Sequence, residues 1–572
     1  MPQAERTDMM KTLVIDERLE VAASVSQTLA TISTVEVRRH TLPLDLGAVD
    51  TVVYRPRCVT PDIVDVRRAA IDFLACAKKP VDRFVLLSSA AVYAPSAHHE
   101  GLVSETRPIS RSDRNRIAAS WQNVEAEATR VFADSNTRLI VLRSPIVPLR
   151  DEDDSLNRLF SGRVALTLPG HDPSIQLLSR QDLAEAVRCI IEKKGEGIYH
   201  VAPRGAMPLR KALRLARTHR LPVPRRLQST ALHILESVGS SSRYEQLEYI
   251  RYPWTIAARR LQDELGFSSK HSSLDALQEA FGRASSSAVP QTEFDDFGMD
   301  PDYIRAYGRT LLRFLERYYW RIELSGAENI PRQGRGVLVG VHRGFMPWDG
   351  VMTLHLIRKT TGRIPRFLVH PTLVKFPFLT NFMTKLGGII ACQDNADYVL
   401  ERDGLLGVYP EGIHGAFTLY RNAYKLGRFG RHDFVKMALR NRAPIIPFVT
   451  VGSAEIFPIL RKVEWRWWQR YSEWPFFPIT PTFPLLPIPL PSKWHTQFLP
   501  AIHVERQYPG EAADDPAVVN AISMEVRTRI QKATDEMLRH RKSIFFGSVF
   551  HRPSNSPNVD TASLEKPADR RV

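Results

Sequence analysis

At 572 residues, 43% of them hydrophobic and 24% charged, the chain is too long for one hydrophobic core and too apolar to be disordered over most of its length. A prior of about 150 residues per domain leaves room for two to four domains, and two substantial α/β units fit best. The formal charge of +16 and a pI near 9.7 ask for an anionic partner. No zinc-finger spacing, aromatic RNP-like strand or long Lys/Arg block accompanies the charge, which places a membrane face or a phosphorylated substrate ahead of nucleic acid.

The polar start, Met1-Pro2-Gln3-Ala4-Glu5-Arg6, has no apolar h-region, so no signal peptide is expected. From Lys11 to about Phe281 short apolar runs alternate with amphipathic stretches, the pattern of βαβ repeats on a parallel sheet. The expected strands are Thr12 to Ile15, Val35 to Val37, Thr51 to Tyr54, Phe84 to Ser88 and Leu139 to Arg143, with helices at Ile63 to Lys78 and Asn115 to Phe132. Ala284 to Gln291, small, polar and proline-bearing, reads as a linker.

Beyond it, Ile304, Tyr307, Leu311, Phe314, Leu315 and Tyr318 give Pro301 to Trp320 the spacing of an amphipathic helix. Arg305, Arg309, Arg313, Arg317 and Arg321 follow along it at four-residue steps, compatible either with a solvated face or with a stripe against anionic headgroups. A second α/β region runs from Gly336 to about Val504, with strands expected at Gly336 to Val341, Leu405 to Tyr409 and Ile445 to Val451, and a helix at Phe434 to Asn441. Ala521 to His540 reads as a closing helix and Arg552 to Val572 as a polar tail. The expected division is a tail over 1–10, a first domain over 11–282, a linker over 283–299, a second domain over 300–545 and a tail over 546–572.

Cys58, Cys76, Cys189 and Cys392 lie far apart without ligand-type spacing, which argues against a disulfide framework or a metal site and for a reducing compartment. No uncharged, proline-free run reaches the ~20 residues that span a bilayer. Membrane contact, if made, is expected to be peripheral and on the cytoplasmic face.

In the first half, Arg83-Phe84-Val85-Leu86-Leu87-Ser88-Ser89-Ala90-Ala91-Val92-Tyr93, Leu142-Arg143-Ser144-Pro145, Asp182-Leu183-Ala184-Glu185-Ala186 and Gly197-Ile198-Tyr199-His200-Val201 stand in order. Together they resemble the extended short-chain dehydrogenases, the NAD-dependent epimerase/dehydratase family, over residues 11 to 282. The resemblance implies a Rossmann-like parallel sheet. Dinucleotide binding needs glycines after the first strand so that backbone can approach a pyrophosphate. No glycine precedes Gly47, and Asp16-Glu17-Arg18-Leu19-Glu20 follows the strand instead. The family's Tyr-x-x-x-Lys pair is missing too: no lysine lies between Lys79 and Lys193 and no tyrosine between Tyr93 and Tyr199, and the expected place reads Arg116 to Gln122. This half is therefore expected to bind no NAD(P) tightly and to serve as a scaffold, regulatory or partner-binding unit. Ser88, Ser89 and Tyr93 are then packing and turn residues.

In the second half, an apolar run ends in Val341-His342-Arg343-Gly344-Phe345-Met346-Pro347-Trp348-Asp349-Gly350, answered later by Val408-Tyr409-Pro410-Glu411-Gly412. A histidine past a buried strand, with a carboxylate on its other ring nitrogen, makes a general base for a hydroxyl. With Phe376 to Gly388 and Ala443 to Phe448, these blocks resemble the glycerolipid acyltransferase superfamily that includes 1-acylglycerol-3-phosphate acyltransferase, over about Asp300 to Val504. The resemblance implies His342 as base, Asp349 as its orienting partner, acyl-CoA or acyl carrier protein as donor, and a lysophospholipid-like acceptor. Backbone amides near Gly344 are candidates for the oxyanion.

Two departures stand out. Six residues separate His342 from Asp349, against the family's His-x4-Asp, and Pro347 favours a looped path between them. Where the family has Glu-Gly-x-Arg, with the arginine on the acceptor phosphate, this chain has Glu411-Gly412-Ile413-His414, and imidazole is the poorer clamp. Either Arg421, Arg428 or Arg431 supplies the charge, with Lys425 and Lys436 nearby, or the acceptor is a non-phosphorylated lipid alcohol such as diacylglycerol. Arg343, Gly344, Glu411, Gly412, His414, Arg421, Arg428 and Arg431 are the candidate substrate-binding residues. A non-catalytic lipid-binding scaffold is the competing class. Finally, Trp465-Arg466-Trp467-Trp468-Gln469-Arg470-Tyr471 and the proline-rich run from Trp474 to Pro491 suit either a headgroup boundary or acyl-tunnel lining, or else an internal core or a subunit contact.

Overall fold

A computed structural model describes residues 10–40, 48–60, 63–79, 81–96, 101–111, 115–150, 155–224, 227, 248–281, 294–430, 432–485 and 488–550. The linker expected at Ala284 to Gln291, the tail beyond residue 551 and Arg431 lie outside them.

The first domain is built on six parallel strands: β1 (Lys11–Ile15), β2 (Thr34–Arg38), β3 (Thr51–Tyr54), β4 (Arg83–Ser89), β5 (Arg138–Ser144) and β6 (Gly197–His200). Their order across the sheet is β2-β1-β3-β4-β5-β6, so the winding reverses between β1 and β3. Leu13, Val14, Ile15, Val52, Val53, Phe84 and Val85 are wholly buried, as strands covered on both faces require. Helices α1 (Leu19–Leu29) and α4 (Arg180–Glu192) cover one face; α2 (Val66–Ala77) and α3 (Arg116–Phe132) cover the other. Asn115 caps α3 through Ala118 N at 3.0 Å, and Ser179 caps α4.

At the end of β1, where a dinucleotide fold keeps its glycine turn, Asp16 accepts from Arg18 N at 2.9 Å and from Arg18 Nη2 at 2.8 Å, and both side chains are buried. The polar residues at the strand ends form a closed network. Ser88 Oγ and the Arg143 guanidinium both donate to Glu125, Arg143 also donates to Tyr93 Oη, and Tyr93 meets His200 Nε2 at 2.8 Å. Ser89 accepts from Ala91 N in the following turn.

The second domain is a seven-stranded sheet of β7 (Glu323–Ser325), β8 (Gly336–Val339), β9 (Arg366–Val369), β10 (Gly388–Ile390), β11 (Leu405–Val408), β12 (Ile445–Val451) and β13 (His495–Phe498). The order is β7-β13-β12-β8-β11-β9-β10, and only β12 and β13 run antiparallel. The central apolar strands β8, β11 and β12 are the ones expected from sequence. The flanking β7, β9, β10 and β13 are three or four residues long, too short for a periodic signal, and all but β10 carry polar residues.

The second-domain helices are α5 (Pro301–Tyr307), α6 (Trp348–Thr361), α7 (Pro377–Leu386), α8 (Gln393–Glu401), α9 (Gly412–Ala416), α10 (Asp433–Arg440), α11 (Arg466–Ser472) and α12 (Pro516–His540). Val526 and Ile530 of α12 share a core with Val449 and Val451 of β12.

Two expectations need correction. The amphipathic segment from Pro301 continues past α5 as π-turns over Gly308–Leu312 and Leu315–Tyr319. These wider turns shift the inward line to Ile304, Leu312, Leu315 and Trp320, and leave Leu311, Phe314 and Tyr318 exposed. The tail expected from 546 begins later, because Val549 is buried, Phe550 packs on the second-domain core, and Ser548 donates to Glu323. Among the described residues no helix is long and apolar enough to cross a membrane.

Candidate active site

The site grows from the end of β8. Just past β8, Gly340 passes so close to Phe448 of the neighbouring β12 that a Cβ there would lie 2.2 Å from its buried ring, which would have to shift to admit any other residue. The chain then loops from Val341 to Pro347 and enters α6, which puts Asp349 in the first helical turn, where the helix dipole favours a carboxylate. His342 Nδ1 lies 2.7 Å from Asp349 Oδ2. The same oxygen accepts from Arg343 N at 2.9 Å, and Oδ1 accepts from Gly350 N at 2.8 Å.

Asp349 is 1% exposed and held on both oxygens, whereas the His342 side chain keeps 15% of its surface. Because the carboxylate can only accept, Nδ1 carries the proton and Nε2 holds the free lone pair. The ring is backed by Tyr409 at 5.3 Å, which stacks on Phe367 at 5.6 Å.

The next residue turns inward. Arg343 is buried and donates to Glu411 Oε2, to the carbonyl of Ala423 and to the carbonyl of His342 at 2.8 Å. Glu411 also accepts from Gly427 N. Arg343 and Glu411, expected to touch substrate, instead spend their side chains on each other, at 4% and 5% exposure. Their bond ties the loop of His342 to the turn after β11 and to the loop that follows α9. Gly344 adopts φ +75°, and a Cβ on it would sit 2.9 Å from the Ser453 carbonyl.

Gly412, His414, Arg421, Lys425 and Arg428 are exposed along α9 and the loop after it, and Lys436 is half-buried on α10. That loop is clamped from behind by α12: Gln531 Oε1 accepts from Leu426 N at 2.9 Å, and Arg527 donates to the carbonyls of Gly427 at 2.9 Å and Leu426 at 2.8 Å.

Aromatic rings begin in the same loop as His342. Phe345 contacts Phe457 at 5.2 Å, Phe483 at 4.9 Å, Trp474 at 5.8 Å and Phe417 at 6.1 Å. Trp348 meets Trp320 at 5.7 Å and Phe382 of α7 at 6.1 Å. Sequence reasoning did not single out Phe345, Trp348 or the Arg527 and Gln531 clamp. The first two stand inside the motif itself, where two large apolar side chains beside a polar pair were open to notice. Nothing local in α12 marks the clamp. No group of metal-ligating side chains occurs among the described residues.

A strand-end histidine thus meets a buried aspartate on an α/β sheet, beside an aromatic wall. The family model for Acyltransferase matches residues 321–451, a span that takes in both His342 and Glu411. The uncharacterized protein Mb0514 of Mycobacterium bovis is 39% identical over 259 residues, covering 44% of this chain and 72% of its own. The uncharacterized protein ML2427 of Mycobacterium leprae is 38% identical, covering 44% of this chain and 70% of its own. Among solved structures, human epimerase family protein SDR39U1 with NADPH covers 48% of this chain at 16% identity and a TM-score of 0.38. MoeE5 in complex with UDP-glucose and NAD covers 47% at 15% identity and a TM-score of 0.37. The chain belongs to the acyltransferase family, with a Rossmann-like domain ahead of its acyltransferase domain.

Proposed function

We propose that the second domain moves a fatty acyl group from a thioester, of coenzyme A or acyl carrier protein, to the hydroxyl of a lysophospholipid-like acceptor. The carrying observation is the bond between His342 Nδ1 and Asp349 Oδ2 at 2.7 Å, which leaves Nε2 as the base. As the acceptor oxygen attacks the thioester carbon, Nε2 takes the hydroxyl proton and Asp349 stabilises the imidazolium. The tetrahedral intermediate then expels the thiolate, which recovers that proton as a thiol, and the new ester remains. No enzyme nucleophile is needed. The amide of Arg343 is committed to Asp349, so donors to the oxyanion come from the Gly344 side of the loop.

The exposed Arg421, Lys425 and Arg428 sit on the loop that Glu411 pins beside the base, and they suit an acceptor phosphate or the phosphates of coenzyme A. Arg431, outside the described residues, belongs to the same proposal. His414, exposed on α9 where the family has arginine, favours a second reading in which the acceptor is a non-phosphorylated lipid alcohol. The chain works at the cytoplasmic face of an anionic membrane, bound peripherally. The first domain holds no nicotinamide cofactor, a reading supported by the Asp16–Arg18 pair at the end of β1.

Purified protein given radiolabelled acyl-CoA and a panel of lipid acceptors tests the reading beside His342→Ala. Product from one acceptor class, reduced roughly 10²- to 10⁴-fold in the variant, is expected. Turnover untouched by the substitution would refute it.

A further inference from the structure

Three segments far apart in the chain expose apolar side chains around Arg321. Tyr319 Oη donates to the Pro489 carbonyl at 2.6 Å, Trp320 Nε1 to that of Leu490 at 3.3 Å, and Arg321 Nη2 to that of Phe545 at 2.9 Å. The Arg321 guanidinium also lies 5.7 Å over the Phe546 ring. On the other side, Leu490 N donates to the Ile456 carbonyl and Leu460 N to that of Ile479, which brings in the hairpin that carries α11.

The side chains left outward are Phe314, Tyr318, Ile488, Phe546, Trp467 and Tyr471, each more than half exposed. A folded protein seldom exposes so many large apolar side chains on segments bonded to one another without an occupant. The charges set among them are cationic: exposed Arg309, Arg313 and Arg317 beside Phe314 and Tyr318, and Arg466 and Arg470 beside Trp467 and Tyr471, against the exposed carboxylate of Glu464. Glu473, at the end of α11, is held by Lys375.

The patch also runs inward. Trp468, next to the exposed Trp467, packs on Trp474 at 5.4 Å, and Trp474 packs on Phe345, which shares its loop with His342.

We infer that the π-turn helix after α5, the α11 hairpin and the Ile544–Phe546 segment form one docking face for an anionic lipid bilayer. The Trp468–Trp474–Phe345 column leads acyl chains from that face to the base. The inference rests on the reading of the protein as a peripheral acyltransferase and deepens it by naming the face. Rings at the acyl boundary with arginines at headgroup level match the chemistry of such an interface, where each cation near an anionic surface adds to binding. A second copy of the chain would bring the same arginines against themselves, which disfavours it as the occupant.

The test is co-sedimentation of the full chain with phosphatidylglycerol-containing vesicles and with phosphatidylcholine vesicles. Its variants are Trp467→Ala with Tyr471→Ala, Phe545→Ala with Phe546→Ala, and Arg309→Gln with Arg313→Gln. Wild-type protein is expected to pellet with the anionic vesicles only, and each double variant to bind roughly ten-fold more weakly or worse. Transfer to a water-soluble, short-chain acceptor should stay at the wild-type level in all three. Wild-type binding by any of the three variants would remove that segment and overturn the composite face while leaving the acyltransferase reading intact. Equal binding to neutral vesicles, or a dimer in light scattering that the same substitutions dissolve, would overturn it too. Vesicle binding as expected with no acyl product from any acceptor would instead sink the catalytic reading.

Discussion

At the scale of single residues, Asp349 performs three jobs: it holds the ring of His342, accepts from the Arg343 amide and accepts from the Gly350 amide. An amide in its place keeps the size but presents an N–H to a nitrogen that must itself donate, so the imidazole is driven toward the wrong tautomer. Asp349→Asn is expected to lower kcat by roughly 10²- to 10⁴-fold with an unchanged circular dichroism spectrum. Arg343 and Glu411 face a different fate. They form a buried pair whose exposure is 4% and 5%, so removing one partner leaves an uncompensated charge inside. Glu411→Ala is expected to cost about 3 kcal/mol or more of stability, read as a lower urea midpoint at unchanged slope. A variant as stable as the parent would show that the pair is not the pin it looks to be. The motif letters made the His342–Asp349 contact legible, because a strand-end histidine followed closely by a carboxylate is a pairing those residue types announce. They did not tell Arg343 from a substrate contact, since a one-residue step in a loop decides whether a side chain faces in or out.

At the scale of elements, the loop bearing Arg421, Lys425 and Arg428 is held on one side by Arg343 and Glu411 and on the other by α12, through Arg527 and Gln531. Arg527→Ala and Gln531→Ala are therefore expected to raise KM for a phosphorylated acceptor several-fold with kcat nearly held, because they loosen binding and spare the base. An equal fall in kcat would place the loop's role at the chemistry instead. The strands β1, β3, β4, β5, β8, β11 and β12 were readable as apolar runs, since each is buried on both sides. Leu311, Phe314 and Tyr318 were read as inward from a regular helical period and are exposed, because π-turns break that period without leaving a mark in the letters. The α12 clamp was illegible for another reason: it joins residues more than a hundred positions apart.

At the scale of the whole molecule, the domains share a polar seam. Lys385 of α7 meets the buried Asp172 at 2.7 Å, Asn381 donates to the Gly170 carbonyl, Arg366 grips Asp295, and Tyr398 donates to Asp296. Phe382 of that same α7 packs on Trp348, next to Asp349, so the first domain braces a wall of the site. The first domain also contributes to the acid sensitivity of the fold. Burial depresses His200 to about 3, with the charge of Arg143 adding to the effect, and burial depresses His171 to about 4. Both rings stay neutral when folded and take up protons near 6.5 when unfolded, so their stabilisation is whole above pH 6.5 and is lost as pH falls toward 4 and 3. Each should steepen the loss by up to ~1.4 kcal/mol per pH unit in that window, seen in urea midpoints between pH 7 and 5. His200→Gln should flatten the profile, and an unaltered slope would contradict the assignment. The strip from Phe294 to Met299 belongs to both halves at once, with Phe294 buried in the core of one and Asp295 and Asp296 gripping the other. An excision of the catalytic half at residue 299 would thus strip the counter-charge from Arg366 and bare the rear of β9, whereas a cut ahead of residue 294 would carry the seal along with it.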